Sequence, residues 1–103
     1  MKKLSLTLFV TLLTTISYAH ADSNLDRGKR LFSQGCALCH GKQGEKSALN
    51  QSAIINTLSV DEIITALQKR KSGEIVGAGN AAKSRLNEDD MKAVAEYLQT
   101  LKN

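Results

Sequence analysis

The sequence predicts an all-α domain built on three main helices. Three stretches place apolar residues at the three- and four-residue steps of one helix face. They are Leu25, Gly28, Leu31 and Phe32, then Ile63, Ile64 and Leu67, then Met91, Val94, Ala95, Leu98 and Leu101. Each stretch is preceded by a helix-start signal. No stretch alternates apolar and polar residues in the manner of a half-buried strand.

The chain has 103 residues, and its start reads as a segment apart from the fold. Lys2 and Lys3 form a positive head, Leu4 to Ile16 is an apolar run broken by Ser and Thr, and Ala19-His20-Ala21 is a small-x-small cleavage site. This is the pattern of a secretory signal peptide. The run is too short and too rich in Thr for a membrane anchor, which needs about 20 mostly apolar residues. Cleavage after Ala21 divides the chain into a signal peptide, 1–21, and a mature domain of 82 residues, 22–103. The expected compartment is the periplasm, with no stable membrane insertion once the signal is removed. Lys2 and Lys3 leave with it, so 12 basic residues face 10 acidic ones and the net charge is +2 rather than +4. That is too mild to indicate nucleic acid. The clusters Arg27-Lys29-Arg30 and Lys69-Arg70-Lys71 read first as solvated helix surface, and second as a docking patch that steers acidic partner proteins.

The first helix is expected over Leu25 to Gln34, with Asp22, Ser23 and Asn24 as cap candidates. Gly28 is costly inside a helix and makes sense where another helix crosses very close. Gly35 ends this helix. Gly41 to Asn50 reads as a loop, and Ala53 to Leu58 as a short apolar turn. Ser59-Val60-Asp61-Glu62 is a capping box that opens the second helix. Lys69 to Lys71 suit its C-terminal end, and Ser72-Gly73 stop it. Glu74 to Arg85 reads as a flexible loop containing Gly77-Ala78-Gly79-Asn80. Asn87 caps the third helix, and Glu88, Asp89 and Asp90 favour its positive end. Tyr97 lies near the apolar face, within reach of Phe32. The chain contains no proline.

The residues that carry chemistry are Cys36-Ala37-Leu38-Cys39-His40. Two thiols two residues apart, followed directly by a histidine, read as a site of covalent haem attachment. Each thiol adds to one vinyl group, and the imidazole turns under the ring as the proximal iron ligand. Zinc would want about four ligands, usually in two separated pairs, and Cys36 and Cys39 are the only cysteines. A thioredoxin-like pair expects a βαβ setting that is absent. A plain disulfide would leave His40 without a role. Eighty-two residues make a thin core, and a covalently held haem would give it an apolar body to pack around.

In this order of parts the mature chain resembles a class I cytochrome c, most closely the small bacterial cytochromes of the c-553 type. The residues that carry the likeness are Cys36-x-x-Cys39-His40-Gly41, the helix with Gly28 and Phe32, and the ending Leu86-Asn87-Glu88-Asp89-Asp90-Met91 with Ala95-Glu96-Tyr97-Leu98. The resemblance implies three main helices wrapped around one covalent haem c. It implies Cys36 and Cys39 as anchors, His40 on iron, and single-electron transfer between redox proteins rather than catalysis. It also implies that the first and last helices cross at the glycine.

One family residue is missing. Such carriers take a sixth iron ligand from a methionine in the loop before the last helix, where this chain has Gly79-Asn80-Ala81-Ala82-Lys83. Met91 sits on an apolar stripe and reads as core. The family's proline after the haem motif, whose carbonyl orients the proximal histidine, is missing too. Asn80 stands nearest the expected place and is a candidate distal ligand, although Asn after Gly is also a common turn residue. Lys83 could serve only if deprotonated. Without the thioether the potential should fall. That keeps open a second function, a haem protein whose open or weakly ligated distal site binds a small gas such as O2, NO or CO. A peroxidase reading lacks a distal His and Arg pair.

Overall fold

The first and last helices are each other's partners, and everything else is arranged around their crossing. The computed structural model describes residues 10–11 and 19–102, with side chains in the first helix from residue 24 onward. The expected signal peptide falls largely outside the described residues. The helices are α1 (Ala19–Gly35), α2 (Ala37–His40), α3 (Val60–Ser72), α4 (Asn80–Ser84) and α5 (Glu88–Gln99), with 3-10 turns at Ala48–Asn50 and Ile55–Thr57. No strand occurs among the described residues. No helix among them is long and apolar enough to cross a membrane.

α1 and α5 cross at Gly28. A Cβ there would stand 2.8 Å from the Tyr97 Cβ and would press into the Ala93 carbonyl. Only glycine lets the two backbones approach this closely, which accounts for a residue that weakens the helix it sits in. Beside the crossing glycine, Arg27 Nη2 donates to Asp90 Oδ1 at 2.6 Å. On the other side, the Phe32 and Tyr97 rings pack tilted at 53° with centroids 5.7 Å apart, a favourable arrangement for their quadrupoles. The core continues from Phe32 through Leu86, Met91, Val94, Ala95 and Leu98 to Ile63 and Leu67 of α3. Met91 is fully buried in it, as its place on the stripe predicts.

The two anticipated capping boxes form. The Ser59 hydroxyl accepts from the Glu62 N–H while the Glu62 carboxylate accepts from the Ser59 N–H, and Asn87 and Asp90 do the same at the head of α5. α3 ends at Gly73, in the left-handed region at φ 83°. Two expectations need correction. α1 begins at Ala19, not Leu25, so the Asp22-Ser23-Asn24 signal lies inside a helix rather than at its start. Ser, Asp and Asn cap only where the chain before them leaves helical geometry, and Ala19 to Ala21 do not break it. The loop Glu74 to Arg85 also contains a short helix, α4, with good helix formers at Ala81, Ala82 and Lys83.

Substituting Gly28→Ala should lower stability by about 1–3 kcal/mol through overpacking, read as a drop in the denaturant midpoint. A variant with wild-type stability would mean that the helices do not meet there. Asn87→Ala should cost about 1 kcal/mol through loss of the cap, measured the same way.

Candidate functional site

Cys36 is the hinge between α1 and α2. Its N–H donates to the Phe32 carbonyl at 2.9 Å, and its own carbonyl accepts from His40 N–H at 3.0 Å. The single turn of α2 therefore holds Cys36, Cys39 and His40 on one short loop of backbone. Cys36 is half-buried and Cys39 exposed, both as free thiols. Leu38, between them, is 97% exposed. His40 is buried. Its carbonyl accepts from the Lys46 N–H at 2.9 Å, which folds the following loop back under it. The Glu45 carboxylate accepts from the Gln43 N–H at 2.9 Å within that loop. Among the described residues no three His, Cys, Asp or Glu side chains gather to hold a metal ion.

Above His40 lies a cavity of about 310 Å³ between the motif, α3 and α5. Ile55, Leu58, Ile63, Leu67, Val94 and Leu98 make its apolar wall. A second hollow of about 210 Å³ opens from it toward the loop 76–79. Cys36, His40, Arg70 and Lys83 line both. The buried stripes read from the sequence are thus the cavity wall as well as the core. The short turn at Ile55–Thr57 contributes through Ile55 and Leu58.

The electrostatics follow from this burial. Burial pushes the Cys36 thiol pKa up, nearby Cys39 adds to that, and Lys83 opposes it. Burial holds the His40 imidazole below the usual histidine range, helped by Lys83 and Arg70. His40 is therefore poised as the neutral ring that can offer a lone pair. Its Nδ1 is buried without a hydrogen-bond partner. The missing proline has no substitute acceptor among the described residues, so the ring orientation rests on packing. Burial also lowers the Lys83 pKa, with Arg70 second, against the pull of Cys36 and Cys39.

Asn80 sits at the head of α4 and lines neither hollow. Its Nδ2 donates to the Ile75 carbonyl at 2.7 Å and its Oδ1 accepts from Arg70 Nη1 at 3.1 Å. These bonds tie the loop to α3, which is a turn role. Met91 lines neither hollow either. Arg70 belongs in sequence to a basic run expected at the surface, yet it is turned into the site. The signal was present, because Arg70 continues the Ile63–Leu67 face at the next helical step. Its neighbour Lys71 donates from Nζ to the Leu86 carbonyl at 2.6 Å, so the run Lys69 to Lys71 is not one patch.

Comparison with known proteins agrees with this geometry. The family model described as Cytochrome c matches residues 25–102. A protein named cytochrome c-553 from one strain of Helicobacter pylori is 43% identical over 70 residues, covering 67% of this chain and 73% of its own. A cytochrome c-553 from a second strain is 36% identical over 85 residues, covering 82% and 88%. The site fits the family's haem: an apolar cavity lined by Cys36, Cys39 at the hollow beside it, and a buried imidazole whose Nδ1 has no hydrogen-bond partner. By the match along almost all of its described length, the chain belongs to the cytochrome c family, whose members carry covalently bound haem c with its iron.

Proposed function

We propose that Cys36 and Cys39 form the two thioether bonds to haem, that His40 is the proximal iron ligand, and that the mature domain, 22–103, works in the periplasm after removal of 1–21. The chain is a monohaem electron carrier between redox proteins, and we infer no catalytic role for it. The haem supplies a ferric/ferrous couple that takes up and gives back one electron.

The observation that carries the site reading is the placement of both thiols and the imidazole around one turn, beside one hollow, with Cys36 and His40 also lining the apolar cavity next to it. Ile63, Leu67, Val94 and Leu98 keep water from one side of that hollow. Fewer water dipoles then need to reorient when the charge changes. The Arg70 guanidinium is the fixed cation available to the haem carboxylates. Exposed Cys39 and Leu38 leave the motif's outer edge at the surface, where a partner protein can approach. Lys69 remains a solvated charge on α3, a small contribution to steering acidic faces. The mature charge of +2 gives no basis for nucleic-acid binding.

One observation favours the second reading, gas binding. Met91, the only methionine of residues 22–103, lies in the core and outside both hollows. A thioether is thus not available on the distal side. Carbon monoxide added to the reduced holoprotein separates the two. A carrier keeps a low-spin spectrum unchanged by the gas, whereas a binder shifts from a high-spin ferrous form.

In a haem-maturing host, the wild-type chain should run as a coloured band on a denaturing gel, with the mass of the mature chain plus one haem. The double variant Cys36→Ala, Cys39→Ala should run colourless at the bare polypeptide mass. A double variant that kept covalent haem would remove these cysteines as anchors. His40→Ala should lose the low-spin signature while retaining covalent haem.

A further inference from the structure

The cavity wall next to the motif presents one primary amine, and it lies beside a position where the loop lacks a side chain. Gly79 is in the left-handed region at φ 85°. Alongside the position its side chain would take lies Lys83, one helical turn on. Nζ lies 3.5 Å and Cε 3.9 Å from where a Cβ at position 79 would stand. The same side chain lines both hollows that His40 lines. Among the described residues the amine has neither an ion pair nor a hydrogen-bonded acceptor, the ion pairs there being Arg27–Asp90 and Lys92–Glu96.

Four other donors near the site are spent or unsuitable. The Asn80 amide bonds to Ile75 and Arg70. The Ser52 hydroxyl accepts from the Ala48 N–H at 2.8 Å. Arg70 has no lone pair to give. Met91 is sealed in the core.

We propose that Lys83, as a neutral amine, supplies the sixth ligand to the haem iron and completes the coordination that His40 begins. This rests on the haem site proposed above and extends it. The ammonium gives one proton to solvent, and the freed lone pair forms the nitrogen–iron bond, with no change in oxidation state. Burial already weakens the amine's hold on its proton. A nitrogen in place of a thioether gives a closed, six-coordinate site with a potential below that of the methionine-ligated carriers. The consequence is electron transfer without an open face for gases.

Three variants of the holoprotein test this: Lys83→Ala, Lys83→Arg and Lys83→Met. The wild type should be low-spin in both oxidation states, without the sulfur-to-iron charge-transfer band of methionine ligation. Lys83→Ala and Lys83→Arg should both become high-spin. Their affinity for added imidazole should rise by at least about tenfold, since the competing internal ligand is gone. Arginine keeps the charge and cannot ligate, so it separates coordination from electrostatics. Lys83→Met should stay low-spin and move to a higher midpoint potential. A Lys83→Arg protein with the wild-type spectrum, or a high-spin wild type, would overturn the assignment while leaving haem attachment intact. A colourless wild-type chain would overturn the attachment and this ligand with it.

Discussion

The fold depends on one close approach, the crossing of α1 and α5 at Gly28. Two helices brought together over a glycine lose the spacing that side chains normally impose. That closeness lets Arg27 reach Asp90 and sets Phe32 against Tyr97. With the pair locked, α5 offers a second face to α3, and the core closes between them around Val94, Leu98, Ile63 and Leu67. α2 hangs from the C-terminal end of α1, so the crossing also fixes where the cysteines and His40 stand relative to α5. The site inherits its geometry from a contact that none of its own residues makes.

The apolar faces of α3 and α5 do two jobs. Toward α1 they make an ordinary core. Toward the motif they line a hollow that the chain does not fill itself. A small domain with few large side chains has little to put there, with only two phenylalanines and two tyrosines in the whole sequence. The haem of this family supplies that missing volume, so cofactor and core are parts of one packing problem. The orphaned Nδ1 of His40 belongs to the same picture. In the role proposed for His40, a histidine without a hydrogen-bonded second nitrogen is a weaker electron donor to its metal than one with an acceptor.

What was legible in the sequence was local. Capping boxes are written within four residues, and Ser59–Glu62 and Asn87–Asp90 form as read. Helical stripes are written within two turns, and Ile63, Leu67, Met91, Val94 and Leu98 are buried as read. The cysteine motif declared itself by spacing, and its three residues lie together at one hollow. What was not legible depends on contacts between distant residues. The inward turn of Arg70 is held by Asn80, ten positions on, and α4 leans on that same link. The early start of α1 was hidden because a run of good cap residues looks identical whether it opens a helix or sits inside one. Leu49 and Asn50, both at positive φ, follow from the serine bonds between positions 47, 48 and 52, which no pattern of apolar residues signals.

Because the two partners in the central crossing, α1 and α5, flank the motif and α3 in sequence, the domain cannot shut until both are present. A ribosome delivers α1 well before α5, so the earlier helix waits for its mate while α2, α3 and α4 are made. Through that interval the motif between them stays on an open strand of polypeptide, reachable by whatever enzyme must handle its thiols. Pairing of the two ends sets the moment at which that access closes.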